Sequence, residues 1–208
     1  DRQHAIAIRS TIAMVLQHPE NQFVASTLRQ EVAFGPENLA VPYAELVSRV
    51  KDALQAVGLW DLRDAEPGRL SAGQKARLAI ADMLAMRPAC LVLDEATAML
   101  DPLARRNLLH TLGQLNGDGL TVIVITHHME EVAQARRVLV MHRGLLMRDT
   151  SPVDLFSDSQ FLAEMRLEVP TAARIAQGLR RRGAPLGDGI LTVAQLADAL
   201  LSMSMETA

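Results

Sequence analysis

An apolar run, Cys90-Leu91-Val92-Leu93, ends in two adjacent carboxylates, Asp94 and Glu95. Paired carboxylates at the end of a buried strand suit cation-assisted hydrolysis, or form only a solvated acidic strand end. Asp94 is the metal candidate and would hold Mg²⁺ through water, because Mg²⁺ keeps several waters and takes few carboxylates. Glu95, one residue further, would orient or deprotonate an attacking water. Upstream lies Leu70-Ser71-Ala72-Gly73-Gln74. A serine at a helix start, followed by glycine, offers a hydroxyl, free amides and the positive end of a helix dipole. That is an anion site suited to a nucleotide γ-phosphate. The same serine also reads as an ordinary N-cap. His127 follows a second apolar run and is able to donate to a phosphate oxygen, or to serve structure alone. Its neighbour His128 reads as an exposed or packing residue, and Asp101, before Pro102, reads as an N-cap.

These residues need elements to hold them. Residues 12–16 read as a buried strand ending at Gln17, broken by His18-Pro19-Glu20-Asn21. Thr27-x-x-Gln30 forms a capping-box pattern, and Gly35-Pro36 is expected to stop the helix it starts. Pro42 opens a second helix with Leu46, Val47, Val50, Leu54 and Val57 on its apolar stripe and Gly58 at its end. A third helix runs from Ser71 to about Arg87, where Pro88 ends it. The run 90–93 carries no polar alternation, so both faces of its strand are expected to be buried, as in a parallel sheet. Asp101-Pro102 starts another helix, closed by Asn116-Gly117-Asp118-Gly119. Residues 120–126 form a further buried strand. Residues 138–141 and 145–147 flank Arg143-Gly144 as a hairpin. Alternating strands and helices predict an α/β domain with a largely parallel sheet, over residues 1–150, with a mainly helical extension at 151–208. In such sheets ligands bind beyond the carboxyl ends of the strands. Gln17, Asp94-Glu95 and His127 each follow a predicted strand and are expected on one rim.

Composition narrows the class. The 208 residues are 49% hydrophobic and 22% charged, which fits a packed globular protein rather than a disordered one. No apolar stretch approaches the roughly 20 residues of a membrane-spanning helix, and no secretory leader is legible at the start. The single cysteine, Cys90, allows no internal disulfide and fits a reducing compartment. With 21 basic and 24 acidic residues the net charge is −3, which provides no electrostatic footprint for nucleic acid. The only lysines are Lys51 and Lys75, and the chain opens on Asp1 rather than methionine, as a processed form or fragment would.

The ordered series of Gln17, Leu70-Ser71-Ala72-Gly73-Gln74, Asp94-Glu95, Leu100-Asp101-Pro102 and Thr126-His127 resembles the nucleotide-binding subunit of ATP-binding cassette (ABC) transporters. Gln17 is similar to the Q-loop residue, residues 70–74 to the signature motif, and Asp94-Glu95 to the Walker B pair. Leu100-Asp101 is similar to the D-loop, and His127 to the switch histidine. Residues 15–23, 32–38, 95–102 and 125–131, with the 179–192 stretch and the last helix, further resemble the energy-coupling factor (ECF) ATPases of cobalt and vitamin importers.

The resemblance implies a P-loop NTPase-like ABC ATPase domain with a helical signature subdomain at about 27–87 and a C-terminal dimerisation extension at 151–208. It implies ATP and Mg²⁺ as ligands. Glu95 and His127 would be catalytic, Gln17, Ser71, Gly73, Gln74 and Asp101 would contact nucleotide, and Asp94 and Gln17 would serve Mg²⁺. The implied partners are a second ATPase subunit, identical or related, a transmembrane coupling subunit and a separate substrate-binding membrane subunit. Residues 17–38 would face the membrane partner. The implied location is the cytoplasmic face of the membrane. One departure is a missing Walker A: no Gly-x-x-x-x-Gly-Lys occurs, and neither Lys51 nor Lys75 stands in such a run. The family's P-loop precedes its Q-loop, so the sequence reads as truncated at the front, with a parent ATPase and an inactive fragment, or as a degenerate subunit that lends only its signature in trans. A second departure is Ala72, where the family carries glycine; its methyl narrows the approach to phosphate.

Overall fold

A computed structural model describes residues 11–16 and 23–206, with side chains to residue 203. Contacts divide the chain into two compact units, one up to Ile125 and one from Thr126.

Among the described residues, the first unit is built on three parallel strands in the order β1 (Ile12–Val15), β2 (Cys90–Asp94) and β3 (Thr121–Ile125). Ile12 pairs with Cys90 and Cys90 with Thr121, so the carboxyl ends of all three strands lie at one edge. Between β1 and β2 come three helices, α1 (Leu28–Asn38), α2 (Tyr43–Ala56) and α3 (Ala72–Ala85), which pack on one another. Helix α4 (Pro102–Gly117) connects β2 to β3. One core unites Ala13, Val15, Leu91 and Leu93 of the sheet with Leu28, Val32, Leu54, Leu78 and Ile80 of the helices. The alanines Ala76, Ala79, Ala81 and Ala85 are buried along α3. Their small side chains let α3 approach its neighbours closely.

The structure departs from three sequence expectations. Gly35-Pro36 does not stop α1, which continues to Asn38. Pro36 lies in the last turn, where its missing N–H forfeits one helical bond but does not block the residues after it. Gly35 lies against the Met86 sulfur, so a Cβ there would require that flexible side chain to move. Val47 lies on the exposed side of α2, half accessible at 49%, while Leu46, Val50 and Leu54 are buried. Finally, none of the three strands read as buried is sealed on both faces: in β2 Leu91 and Leu93 are buried but Cys90 and Val92 are half-buried, and in β1 and β3 every second residue is exposed. On that same face Ile12, Met14, Ile123 and Ile125 are 42–48% exposed. No described element of the first unit covers this face, so the apolar run does not achieve the two-sided burial that its composition calls for.

The second unit contains the short helix α5 (Met129–Val132), then β4 (Val138–His142) and β5 (Leu145–Thr150). These strands form the expected antiparallel hairpin around Arg143-Gly144, with a bulge between Val140 and Met141. Helices α6 (Pro152–Ser157), α7 (Ser159–Met165), α8 (Thr171–Arg181) and α9 (Val193–Glu206) follow. Val140, Leu155, Phe156, Phe161, Leu162, Ala173 and Leu191 form its main core. Ala172, Ala176, Leu186 and Leu196 join α8 to α9 in a second one. Asp158 caps α7 through the Phe161 N–H at 3.0 Å and pairs with Arg148 at 2.9 Å. The Arg148 guanidinium lies 3.8 Å from the Phe161 ring centroid, so β5 and α7 share one charged and one aromatic contact.

Candidate functional site

Asp94 is the last residue of β2 and lies opposite Ile125 of β3. It is half-buried, and no hydrogen bond or ion pair engages its carboxylate among the described residues. Its oxygens are therefore open to a hard cation, which fits the oxygen chemistry Mg²⁺ requires. Glu95 continues the pairing by one step: its N–H donates to the Ile125 carbonyl at 2.9 Å. It then takes φ +49°, the left-handed region that a non-glycine residue enters at a cost. That conformation turns the chain sharply away from the strand at the carboxyl edge. The Glu95 carbonyl accepts from Ala98 N–H at 3.0 Å, and Thr97 O accepts from Leu100 N–H at 3.0 Å. Thr97 is buried, and its carbonyl also receives Arg105 Nε at 3.3 Å and Nη2 at 3.2 Å. Sequence reasoning did not find this brace, because Arg105 reads as a surface residue of α4 and nothing in the spacing ties it to Thr97.

Ser71 is the N-cap of α3. Its hydroxyl accepts the Gln74 N–H at 3.3 Å while Gln74 Oε1 accepts the Ser71 N–H at 2.9 Å. This is a full capping box, so two of the orphan donors at the helix start are satisfied reciprocally. Two consequences follow. The amide oxygen of Gln74, expected at the nucleotide, is spent on the cap. The Ser71 hydroxyl, used as an acceptor, keeps its O–H to donate. Ser71 is exposed and the Ala72 and Gly73 N–H groups lie in the first turn, so the helix start retains the character of an anion site.

Asp101 caps α4: Oδ1 accepts from Leu103 N–H at 3.0 Å and Ala104 N–H at 2.9 Å. The structure thus shows the capping alternative for this residue. Gln17 lies outside the described residues. His127 belongs to the second unit and is exposed; its ring lies 4.4 Å from that of His128, tilted by 37°. The His128 N–H donates to Thr126 Oγ1 at 3.0 Å. Within the first unit the structure thus gathers Asp94 and Glu95 at the sheet edge, and sets Ser71 and Gly73 at the start of a helix that packs on the Met99-Leu100 loop following them. Among the described residues no group of three or more His, Cys, Asp or Glu forms a metal cage.

Residues 1–98 match the ABC transporter family. The chain is 46% identical over 199 residues to the energy-coupling factor transporter ATP-binding protein EcfA1 of Caldanaerobacter subterraneus subsp. tengcongensis, spanning 95% of this chain and 72% of that one. Its fold superposes with a TM-score of 0.71 and 32% identity on cbiO1 of Clostridium perfringens, part of the ABC transporter complex cbiONQ, over 86% of this chain and 71% of that one. An ATP-binding cassette solved as a dimer in a post-hydrolysis state, bound to ADP and Pi, matches with a TM-score of 0.64 and 26% identity, over 73% of this chain and 68% of that one.

Proposed function

Because the chain belongs to the ABC transporter family, among the energy-coupling factor ATP-binding proteins, we propose that its parent protein is an energy-coupling ATPase subunit of an importer. Its substrate class would be metal ions such as cobalt, or vitamins. The observation that carries this reading is the acidic pair at the carboxyl edge of a parallel sheet, with Glu95 turned out of the strand by a left-handed backbone.

Each residue has a distinct role in this reading. Asp94 offers open carboxylate oxygens for Mg²⁺, with Gln17 as its second contact. When bound, Mg²⁺ neutralises phosphate charge. Glu95 positions the attacking water or takes its proton, held in place by the bond from its N–H to Ile125 and by the loop that Arg105 braces through Thr97. Ser71 and Gly73, with His127, present donors to phosphate oxygens. The signature residues act on the nucleotide of a second ATPase subunit, so Ser71 and Gly73 complete the partner's site. Asp101 supports the site by capping α4, and Gln74 by completing the Ser71 cap.

The partners follow from the same reading. The helical extension at 151–208 pairs ATPase subunits, and residues 17–38 face the coupling helices of a transmembrane subunit. Exposed Val24 and Phe34 supply apolar contact area there. A separate membrane subunit chooses the substrate. Among the described residues no helix is long and apolar enough to cross a membrane, and the proposed site of action is peripheral, on the cytoplasmic face.

Reconstitution of the parent protein with the partner ATPase and membrane subunits tests the reading. ATP hydrolysis and import are expected, both abolished by Glu95→Gln and by Ser71→Arg. Full activity in either variant would refute the roles given to these residues. A second reading is a subunit that lends only its signature in trans to an intact ATPase. Under that reading Ser71→Arg abolishes activity and Glu95→Gln does not.

A further inference from the structure

Two acidic residues lie on the inward faces of neighbouring helices. Glu31 of α1 is buried, with 6% exposure. Its Oε2 accepts the backbone N–H groups of Val24 at 2.8 Å and Ala25 at 2.6 Å. This carboxylate therefore clasps the segment that leads from the 17–22 stretch into α1. Such charge-assisted bonds to backbone N–H groups are short and hold both partners in place. Asp82 lies on α3, which packs closely on α1. Its Oδ1 is shielded from solvent, and no donor reaches it. A second buried anion so placed would face an uncompensated desolvation cost.

We propose that Glu31 and Asp82 form a one-proton carboxyl pair, a proton-dependent clasp that fixes residues 24–25 to the packed faces of α1 and α3. Glu31 is the charged member that holds the two amides. Asp82 is the neutral member: the residue is half-buried, and the proton lets its shielded Oδ1 share the interface with Glu31. Loss of that proton places two like charges in one apolar interface, which loosens the clasp. Burial, and then the charge of Glu31, hold the Asp82 carboxyl well above its usual range, as this arrangement requires.

No cation relieves the pair among the described residues. On α1, Arg29 pairs with Asp64 and Glu37 is exposed. On α2, Arg49 is held by Glu45 and reaches the Ala85 carbonyl, Lys51 lies over the Trp60 ring, and Asp52 faces Arg87. On α3 itself, Arg77 donates to the Val57 carbonyl, and Lys75 stands two turns before Asp82. Strand β1 carries no charged residue. Asp82 is thus a positioning residue of the segment that follows Gln17, at the other end of the helix that Ser71 starts.

The sign of the pH effect follows from the proton count. The folded protein keeps a proton on Asp82 that the unfolded chain releases above the ordinary carboxylate range. Stability is therefore fully present below that range and is lost as pH rises through the folded titration. The test is denaturant unfolding followed by Trp60, the only tryptophan, from about pH 5 to about pH 8, on the protein and on Asp82→Asn. The amide mimics the protonated acid and cannot ionise. The unfolding constant of the unmodified protein is expected to climb more steeply with pH than that of Asp82→Asn, by up to about tenfold per pH unit. Equal slopes would overturn the proposal. An infrared carboxylic-acid band from isotope-labelled aspartate at neutral pH, absent in Asp82→Asn, is the second expected result. It needs only the unmodified protein to be informative, since no such band there refutes the one-proton pair. Amide-exchange protection of Val24 and Ala25 is expected to fall in Glu31→Gln; unchanged protection would remove the clasp.

Discussion

Gly73, in the first turn of α3, lies against Leu100: a Cβ on Gly73 would stand 3.4 Å from Leu100 Cδ2 and 3.6 Å from the Met99 carbonyl. The helix start that offers donors to an anion is thereby packed on the loop that leaves Glu95. A methyl group fits this contact at ordinary van der Waals distance, and a helix interior favours alanine over glycine by up to about 1 kcal/mol. Gly73→Ala is therefore expected to leave the fold intact, or slightly more stable, while lowering ATP hydrolysis in the reconstituted transporter. Thermal melting beside an ATPase assay checks this. A clear loss of stability would mean that the glycine serves packing first.

Ser71 has a structural task besides its chemical one, and the two separate by substitution. Ser71→Ala removes the acceptor for Gln74 N–H and is expected to cost about 1 kcal/mol. Ser71→Asp keeps an acceptor at the N-cap and should retain stability. Both should lose activity, because neither puts a hydroxyl on the phosphate and Asp adds a repelling charge. Denaturant midpoints set against hydrolysis rates decide it: an active Ser71→Asp would contradict the phosphate contact.

Glu95 pays for its position with a left-handed backbone, which costs a non-glycine residue of order 1 kcal/mol or more. Glu95→Gly should accordingly be more stable than Glu95→Ala by about 1 kcal/mol, since both lack the same side chain and only glycine adopts this φ without strain. Both should be inactive. Equal melting temperatures for the two would mean that the loop relaxes and Glu95 is not held by strain.

The open face of the parallel sheet predicts behaviour in solution. Ile12, Met14, Ile123 and Ile125 expose contiguous apolar surface, and a sheet face of this kind is an association hazard. The 208-residue chain by itself should bind a hydrophobic dye and self-associate. Ile123→Thr should reduce dye binding with little loss of stability, because threonine keeps the strand preference. Leu91→Ala, on the sealed face, should instead cost about 2–5 kcal/mol. Dye fluorescence and light scattering separate the two faces. A non-binding, monodisperse chain would contradict the exposure.

Acid should weaken the second unit. The Phe161 N–H, then the Arg148 guanidinium, hold the Asp158 carboxyl below its ordinary range, and Arg137 does the same for Asp149. Depressed carboxylates contribute stability above the unfolded titration, and it is lost as pH falls through the folded one. The unit should thus lose stability below about pH 4, and Arg148→Ala should lessen that dependence. Amide exchange of residues 152–165 across this range reads the effect.

Much of the site was legible in the sequence because its signals are local. A serine before a small-residue turn, with glutamine three residues on, makes a capping box wherever a helix follows. An apolar run ending in Asp94-Glu95 makes a strand end. The proline before residue 43 and the Asp101-Pro102 pair marked helix starts for the same reason: each acts on the backbone within one turn. These spacings set the chemistry on offer, the strand-helix alternation and the family resemblance.

The tertiary structure decided what depends on neighbours far along the chain. Spacing does not tell that Gln74 and Asp101 spend side-chain oxygens on caps, because a free and a capping oxygen have the same sequence. It does not tell that Arg105 braces Thr97, or that Gly35 lies against Met86. The two-sided burial read from residues 90–93 failed because burial belongs to the surroundings: an apolar residue on a strand is covered only where another element packs on it. Glu31 and Asp82 are the clearest case. Along the chain they are two ordinary helix acids 51 residues apart, and only the packing of α1 on α3 sets the shielded Asp82 oxygen in the interface that the buried Glu31 shares.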